Sequence, residues 1–570
     1  MRLSLIRVLV LCMFAAAISV PASAQAPNPD IADVNEALGV GVNLGNALEA
    51  PREGDWGLTL QAEYFELIAE AGFAHVRVPI KFSAYADATA PYTIPEADPS
   101  VVNAASLWER IDWVIDQAET NGLYVILDLH HYDELHEAPA AHRDRYLAIW
   151  GQIATRYSDA GPLVLFELLN EPNGAFDEDP QVLNALLADA LATVRATNPT
   201  RPVIVGPAGF NGIGALDALE LPADPNLIVS VHFYDPFPFT HQGAEWTDPV
   251  PPAPATWDAE IMGLGAGWQN WSWDTTVTGG ADALTVAFDR QWAGLQFTHP
   301  DASGDPVTLR IEATGDARRE LIVRCGRIDP VDGQDDIDAT TLVVDAIANV
   351  DSLDVTACPD ATERIVFLNA GPAGAITVHS AELCFTDGRC DRMIETGLEA
   401  VTGSIDDAAR WGLAQGRPLH VGEFGAYSAG GVADLGERVE WTTAVRQAAR
   451  SHGMSMSYWE FGAGYGVYEP GAGEWVQPLL DTLLAGEDIS RIPTGDVNCD
   501  EVVDIIDALM IAQHVAGLRS DVATCPLGDA TTELRASMGD VDRNLILDII
   551  DAMLIARCVA GVSEIACPTG

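Results

Sequence analysis

Two glutamates stand where reaction chemistry explains them better than packing does: Glu171 in Leu168-Leu169-Asn170-Glu171-Pro172, and Glu423 in Leu419-His420-Val421-Gly422-Glu423-Phe424-Gly425. Each reads as a carboxylate at the end of a buried apolar strand. α/β barrels carry their catalytic groups at that rim, and two carboxylates on different strands suit the division between acid/base and nucleophile on a glycosidic bond. Other polar side chains end neighbouring apolar runs. Arg77 in Val76-Arg77-Val78-Pro79 could hold a carboxylate nucleophile ionised, with a purely structural ion pair as the alternative. His130 and His131 follow Asp128-Leu129, and Asn170 could hydrogen-bond a sugar hydroxyl beside Glu171. His232 and Tyr234 lie in Ser230-Val231-His232-Phe233-Tyr234-Asp235, and Trp459 ends a further run where it could floor a sugar subsite. Any one of these could be a satisfied core group; their joint placement at strand ends points to one site.

The elements that must position them follow from hydrophobic periodicity. Short apolar runs alternate with longer amphipathic ones, as βα units do. Strands are expected at Val40 to Leu44, His75 to Pro79, Tyr124 to Leu129, Leu163 to Leu168, Val203 to Gly206, Ile228 to His232, Leu419 to Glu423 and Ser455 to Trp459. Helical spacing separates them, as in Gln61 to Ala71 and Trp108 to Glu119. Eight strands with crossover helices predict an α/β (β/α)8 barrel over residues 25–268 and 391–488. An open doubly wound sheet is the alternative, but no glycine-rich phosphate loop follows any strand.

Composition bounds the partners. The chain has 570 residues, 30 basic against 84 acidic, a formal net charge of -54, and Lys81 as its one lysine. Nucleic acid and anionic membranes are therefore excluded as partners. Arg2 and Arg7 precede an apolar stretch from Val8 to Val20, and Ala22-Ser23-Ala24 offers a cleavage site, so residues 1–24 read as a signal peptide and the mature protein as secreted. Cys12 follows Leu11, too large for a lipoprotein cleavage site, and no later run could span a bilayer. The other eight cysteines form two groups of four: Cys325, Cys358, Cys384, Cys390 and Cys499, Cys525, Cys558, Cys567. Even groups in an exported chain read as disulfides, each group allowing three pairings.

Residues 269–390 break the βα pattern with short alternating segments such as Leu284 to Phe288 and Val307 to Ile311, split by Gly, Asp and Pro turns. An inserted all-β sandwich is expected there. Trp268, Trp271, Trp273 and Trp292 lie in or near it and could stack on sugars, or equally be core residues of the insert.

A duplication marks residues 493–570. Asp496, Asn498, Asp500, Asp504 and Asp507, with the Val502 carbonyl, are echoed by Asp540, Asp542, Asn544, Asp548 and Asp551 with that of Ile546. Oxygen ligands at these loop spacings wrap a cation of calcium's size. The module resembles a dockerin, a small all-α unit, which implies structural Ca2+ and a cohesin-type scaffold or cell-surface partner. Glu501 and Leu545 replace the turn glycine of such loops, which lowers the expected affinity. Repeats held by disulfides without metal are the alternative.

The barrel's motifs resemble glycoside hydrolase family 5. The stretches are Gly41 to Pro51, Asp128-Leu129-His130-His131-Tyr132, Asn170-Glu171-Pro172, Phe239 to Trp246, Gly422 to Tyr427 and Tyr458-Trp459-Glu460-Phe461. The resemblance adds Asn46 and Trp246 to the supporting residues. It implies a retaining endo-β-1,4-glucanase without catalytic cofactor, with Glu171 as acid/base and Glu423 as nucleophile, acting on cellulose or related β-glucans; β-mannan and xyloglucan are the alternatives. A non-catalytic carbohydrate-binding or assembly protein would show lost carboxylates, and both are present.

Overall fold

The computed structural model describes residues 30–485 apart from 102, 266–267, 300–303, 316–320, 329–335, 345–351, 360–361, 387, 429–430 and 432, together with residues 511–513. The expected signal peptide, the second cysteine group and every calcium ligand expected at positions 496–551 lie outside the described residues.

Eight parallel strands close into a barrel in chain order. Counting barrel strands alone, they are β1 (Val40–Asn43), β2 (His75–Ile80), β3 (Tyr124–Leu129), β4 (Val164–Glu167), β5 (Val203–Val205), β6 (Leu227–Phe233), β7 (Leu419–Phe424) and β8 (Ser455–Tyr458). All eight coincide with the apolar runs. Parallel strands covered by helices are buried on both faces, so they read as continuous hydrophobic segments. Two positional expectations change. Arg77 lies in mid-strand, since β2 runs on to Ile80, and Glu171 lies four residues beyond the last residue of β4, in the following loop.

The helix Ala62–Ala71 buries Phe65 and Ile68 against the barrel. Leu107–Thr120 starts at Ser106, whose hydroxyl accepts from the Glu109 amide and satisfies one orphan donor of the first turn. At the barrel floor, Ile31, Val34 and Leu38 of the helix Ile31–Leu38 pack on Ile126, Leu165, Ile204 and Ile228, one residue from each of β3 to β6. This apolar floor leaves the opposite, C-terminal rim for polar side chains.

Between β6 and β7 the chain forms two further antiparallel sheets. One runs Ser352–Asp354, Pro306–Gly315, Gly374–Phe385, Leu284–Phe288, Thr275–Gly279, with Cys390–Arg392 paired to Gly374–Phe385. The other runs Asp336–Val344, Leu321–Ile328, Arg364–Asn369, Gly294–Thr298, Gln269–Asn270. They share one apolar core, in which Val286, Ile311 and Val378 of the first meet Leu295, Phe297 and Phe367 of the second. Of the three pairings open to the first cysteine group, the structure has Cys325–Cys358 and Cys384–Cys390. Met262–Leu264 and Ile394–Thr396 pair where the chain leaves and rejoins the barrel.

Candidate active site

Arg77 organises the upper interior of the barrel. Its side chain is fully buried, and its donors reach acceptors on four other strands or the loops after them. Nε donates to Glu167 Oε2 at 2.7 Å and Nη2 to Glu167 Oε1 at 3.1 Å. Nη1 donates to Asn43 Oδ1 at 2.9 Å and to Glu423 Oε1 at 2.8 Å. Nη2 also donates to Asn170 Oδ1 at 2.7 Å and lies 3.1 Å from Asp128 Oδ2. Burial opposes the charge, but the attraction of Asp128, Glu167 and Glu423 outweighs it and holds the guanidinium well above its usual range. Only a rigid planar fork can serve so many acceptors at once.

Asn170 is fixed from both sides. Its Oδ1 accepts from Arg77, so Nδ2 faces His130 Nε2 at 3.4 Å. The His130 proton then sits on Nδ1, which donates to Asp128 Oδ2 at 2.6 Å. The main chain before Glu171 is pinned as well: Tyr146 O–H and Trp150 Nε1–H both donate to the Leu168 carbonyl, at 2.9 and 3.0 Å. Past Glu171, Asn173 donates to its carbonyl at 2.9 Å and the Phe210 amide to that of Pro172 at 3.1 Å.

Glu423 is aimed by a bulge in β7. Val421 pairs with Val231 and Glu423 with His232, so Gly422 is the extra residue. Only glycine fits there, because a Cβ would stand 2.4 Å from Ser230 Oγ and 2.9 Å from His232 Nε2. The bulge brings Glu423 beside β6, where Tyr234 O–H donates to its Oε2 at 3.0 Å.

Glu171, Glu423 and His232 converge, one side-chain atom of each lying within 4.8 Å of the other two. His232 Nδ1 is 2.9 Å from Glu171 Oε1, and its Nε2 is 3.3 Å from Asn211 Nδ2. Three such atoms could grip a cation, but here three O–H or N–H donors, from Arg77, Tyr234 and His232, already point at the carboxylates, an arrangement made for proton chemistry. Burial pushes the Glu171 carboxyl up to about 7 even though 26% of its side chain faces the cleft, with Arg77 pulling it down and Glu167 pushing it up. Burial likewise pushes Glu423 up to about 7, against the lowering effects of His232, Arg77 and Tyr234. Burial lowers His232 to about 4, so it is neutral near pH 7. Glu423 thus receives a cationic donor and a hydroxyl, while the donors to Glu171, the His232 imidazole N–H and the Asn170 amide, are neutral. With one proton on the pair, it sits on Glu171.

The remaining candidates line the rim. Trp459 follows β8 and stacks on His130 with ring centroids 5.9 Å apart and planes 6° apart. His131 packs edge-on to His130 and to the exposed Trp56. Trp246 is exposed and meets Tyr427 edge-on at 4.7 Å. Asn46 donates from Nδ2 to Glu460 Oε2 and from its amide to Glu49 Oε1, tying the loop after β1 to that after β8.

Sequence reasoning passed over Asn43, Glu167, Asn211 and the pair Glu49 and Glu460. One signal was present for Glu167: a carboxylate inside the buried run Val164-Leu165-Phe166-Glu167-Leu168 requires a buried cation partner. Asn211 carried none, being six residues beyond the end of β5 and in a left-handed conformation.

Comparison with known proteins agrees with this geometry. Residues 39–275 match the family model described as Cellulase (glycosyl hydrolase family 5). Endoglucanase H of Acetivibrio thermocellus is 36% identical over 225 residues, 39% of this chain and 24% of that protein. Endoglucanase B of Clostridium cellulovorans is 30% identical over 257 residues, 41% of this chain and 55% of that protein. The matched stretches span from 24% to 66% of the first curated relatives. Among solved structures, endoglucanase Cel5A from the hyperthermophilic Thermotoga maritima aligns with a TM-score of 0.52 at 28% identity, covering 80% of this chain and all of the other.

Proposed function

We propose, from a glycoside hydrolase barrel with a cellulase-family domain as premise, that the chain is a secreted, retaining endo-β-1,4-glucanase acting by double displacement. The observation that carries this reading is the approach of the Glu171 and Glu423 carboxylates to within 4.8 Å. Retaining pairs stand about 5 to 5.5 Å apart, whereas inverting pairs leave about 6.5 to 9.5 Å for a water.

In the first step a Glu423 oxygen attacks the anomeric carbon, forming a glycosyl ester as the glycosidic C–O bond breaks. The departing oxygen takes the proton of Glu171, whose other oxygen stays on His232 Nδ1. In the second step the Glu171 carboxylate takes a proton from water, the water oxygen bonds to the same carbon, and the ester C–O bond breaks. Both glutamates return to their starting states. Arg77 and Tyr234 hold the ionised Glu423 and aim it, Asn170 offers a donor to the sugar beside it, and Trp459 provides an apolar floor.

The test is covalent trapping with a 2-deoxy-2-fluoro-cellobioside bearing a good leaving group, followed by peptide mapping. A label on Glu423 is the expected result; a label elsewhere, or an inverted product by proton NMR, overturns the reading. Mannan is the second reading, because Thermotoga maritima Cel5A has been solved with both cellobiose and mannotriose. Side-by-side turnover of barley β-glucan and glucomannan decides between them.

Outside the described residues, we read positions 1–24 as an export signal and 493–570 as a dockerin-like Ca2+ module that binds a cohesin-type partner. Calcium titration of the full chain, and its capture by a cohesin with and without chelator, test the second part.

A further inference from the structure

The four tryptophans near the insert separate into two kinds. Trp268 is buried in the shared core of the two sheets, edge-on to Phe297 and His299. Trp271, Trp273 and Trp292 instead expose 56%, 38% and 53% of their surface with the barrel in place. Large exposed indoles grouped on one small region mark a binding surface far more often than a chance of composition.

Their setting fixes them. The chain after Gln269–Asn270 continues beside Gly294–Thr298: the Trp271 amide donates to the Gln296 carbonyl at 3.1 Å, and Trp273 and Gly294 exchange both amide hydrogen bonds at 3.1 Å. Two residues apart on an extended edge, Trp271 and Trp273 belong to one face, about 6.6 Å from each other along the chain. The Trp273 ring lies over Gly294, where a Cβ would stand 2.4 Å from ring carbons. One face of that indole is therefore backed by main chain and the other is turned outward. The polar edges are also occupied, with Trp271 Nε1–H donating to Gln269 Oε1 at 2.9 Å and Trp273 Nε1–H to the Trp292 carbonyl at 3.0 Å. These bonds orient the rings before any ligand arrives, so little rotamer entropy remains to be lost on binding.

The surroundings select the ligand. Arg290 and Asp274 pair beside the tryptophans, Nε to Oδ2 at 2.8 Å, and so cancel each other's charge. A chain of net charge -54 repels polyanions. What remains is a patch of flat apolar faces edged by the exposed side-chain amide of Gln269. Its complement is a neutral polymer with flat C–H faces and equatorial hydroxyls.

We propose that this edge of the five-stranded sheet is a second carbohydrate-binding site, taking a neutral β-glucan chain by stacking sugar rings on Trp271 and Trp273, with Trp292 extending the platform. The ligand class rests on the proposed function; the platform itself does not.

The test is affinity electrophoresis of the full-length chain through gels containing barley mixed-linkage β-glucan, with amylopectin gels as control. Hydrolysis is blocked by Glu423→Gln, and the cleft is weakened by Trp459→Ala. In that background, Trp271→Ala with Trp273→Ala is expected to weaken retardation by β-glucan about tenfold. Because Trp273 supports local packing, Trp271→Ala alone serves as the second variant, with circular dichroism matching the parent and a loss of at least about threefold expected. Retardation unchanged by these substitutions overturns the site. So does a shift from oligomer to monomer with β-glucan binding intact, which would make the patch a contact between copies. If the wild type releases no reducing sugar from any β-glucan while the tryptophan-dependent retardation persists, the proposed activity fails and the binding site stands.

Discussion

Asn211 donates from Nδ2 to Nε2 of His232 at 3.3 Å, which leaves the imidazole proton on Nδ1, 2.9 Å from Glu171 Oε1. A loop residue after β5 thus chooses the tautomer that faces the acid/base, and Gly206 makes room for it, since a Cβ there would stand 2.7 Å from the Asn211 amide. Asn211→Ala is expected to lower kcat about tenfold or more with little change in KM, because binding is retained while the proton donor to Glu171 is lost. Imidazole 15N NMR should report one His232 tautomer in the parent and a mixture in the variant. An unaltered tautomer with unaltered kcat would remove Asn211 from the mechanism.

Replacing the two glutamates should have unlike consequences. Glu423→Ala deletes the group that bonds to the sugar, and turnover should fall by at least about 10^4-fold. Glu171→Ala should cost about 10^2 to 10^4-fold on natural glucan and much less on aryl cellobiosides with activated leaving groups. Azide, which needs no deprotonation to attack the glycosyl ester, should partly restore the Glu171→Ala variant and yield a β-glycosyl azide. Azide rescue of neither variant would contradict the division of roles.

The pH profile follows from the pair. The active form carries one proton, on Glu171, with Glu423 ionised. Rising pH removes the Glu171 proton, whose carboxyl burial has raised to about 7, so the alkaline limb of kcat/KM should fall near that pH. Falling pH protonates Glu423 and gives the acid limb. In Glu171→Gln assayed on dinitrophenyl cellobioside, whose leaving group needs no acid, the alkaline limb should vanish while the acid limb stays. Persistence of the alkaline limb would assign it to another group.

Glu49 makes stability pH-dependent through a carboxyl that takes no part in the bond-making steps. Burial raises its carboxyl to about 8, above the ordinary value of about 4.3 in an unfolded chain. The folded state therefore binds the proton more tightly, so the stabilisation is complete below about 4.3 and is lost as pH rises towards 8. Glu460, raised to about 7 by burial, contributes in the same direction. The thermal midpoint should decline between pH 5 and 8, and Glu49→Gln should flatten part of that decline. An identical slope in the variant would show that Glu49 does not titrate there.

Much of this protein was legible before folding. The eight barrel strands announce themselves because a parallel strand buried on both faces must be apolar throughout. Glu171 and Glu423 stand out because a carboxylate bordering such a run costs too much to be incidental. Glu167 was just as visible in principle, but one buried charge does not name its partner. Asn211 and Gly422 could not be read at all, since an asparagine in a loop and a glycine in a strand acquire meaning only from the side chains that close around them.

By itself, then, the sequence determined the barrel and the two carboxylates, because hydrophobic period and charge in an apolar run are local properties of the chain. Tertiary structure decided that Glu171, beyond the end of its strand, meets Glu423 on a bulge, that Arg77 joins Asn43, Asp128, Glu167, Asn170 and Glu423, and that Trp268 is core while Trp271 and Trp273 face outward. Those relationships arise where distant segments are brought together by closure of a sheet, and both burial and the pKa shifts that follow from it exist only after that closure.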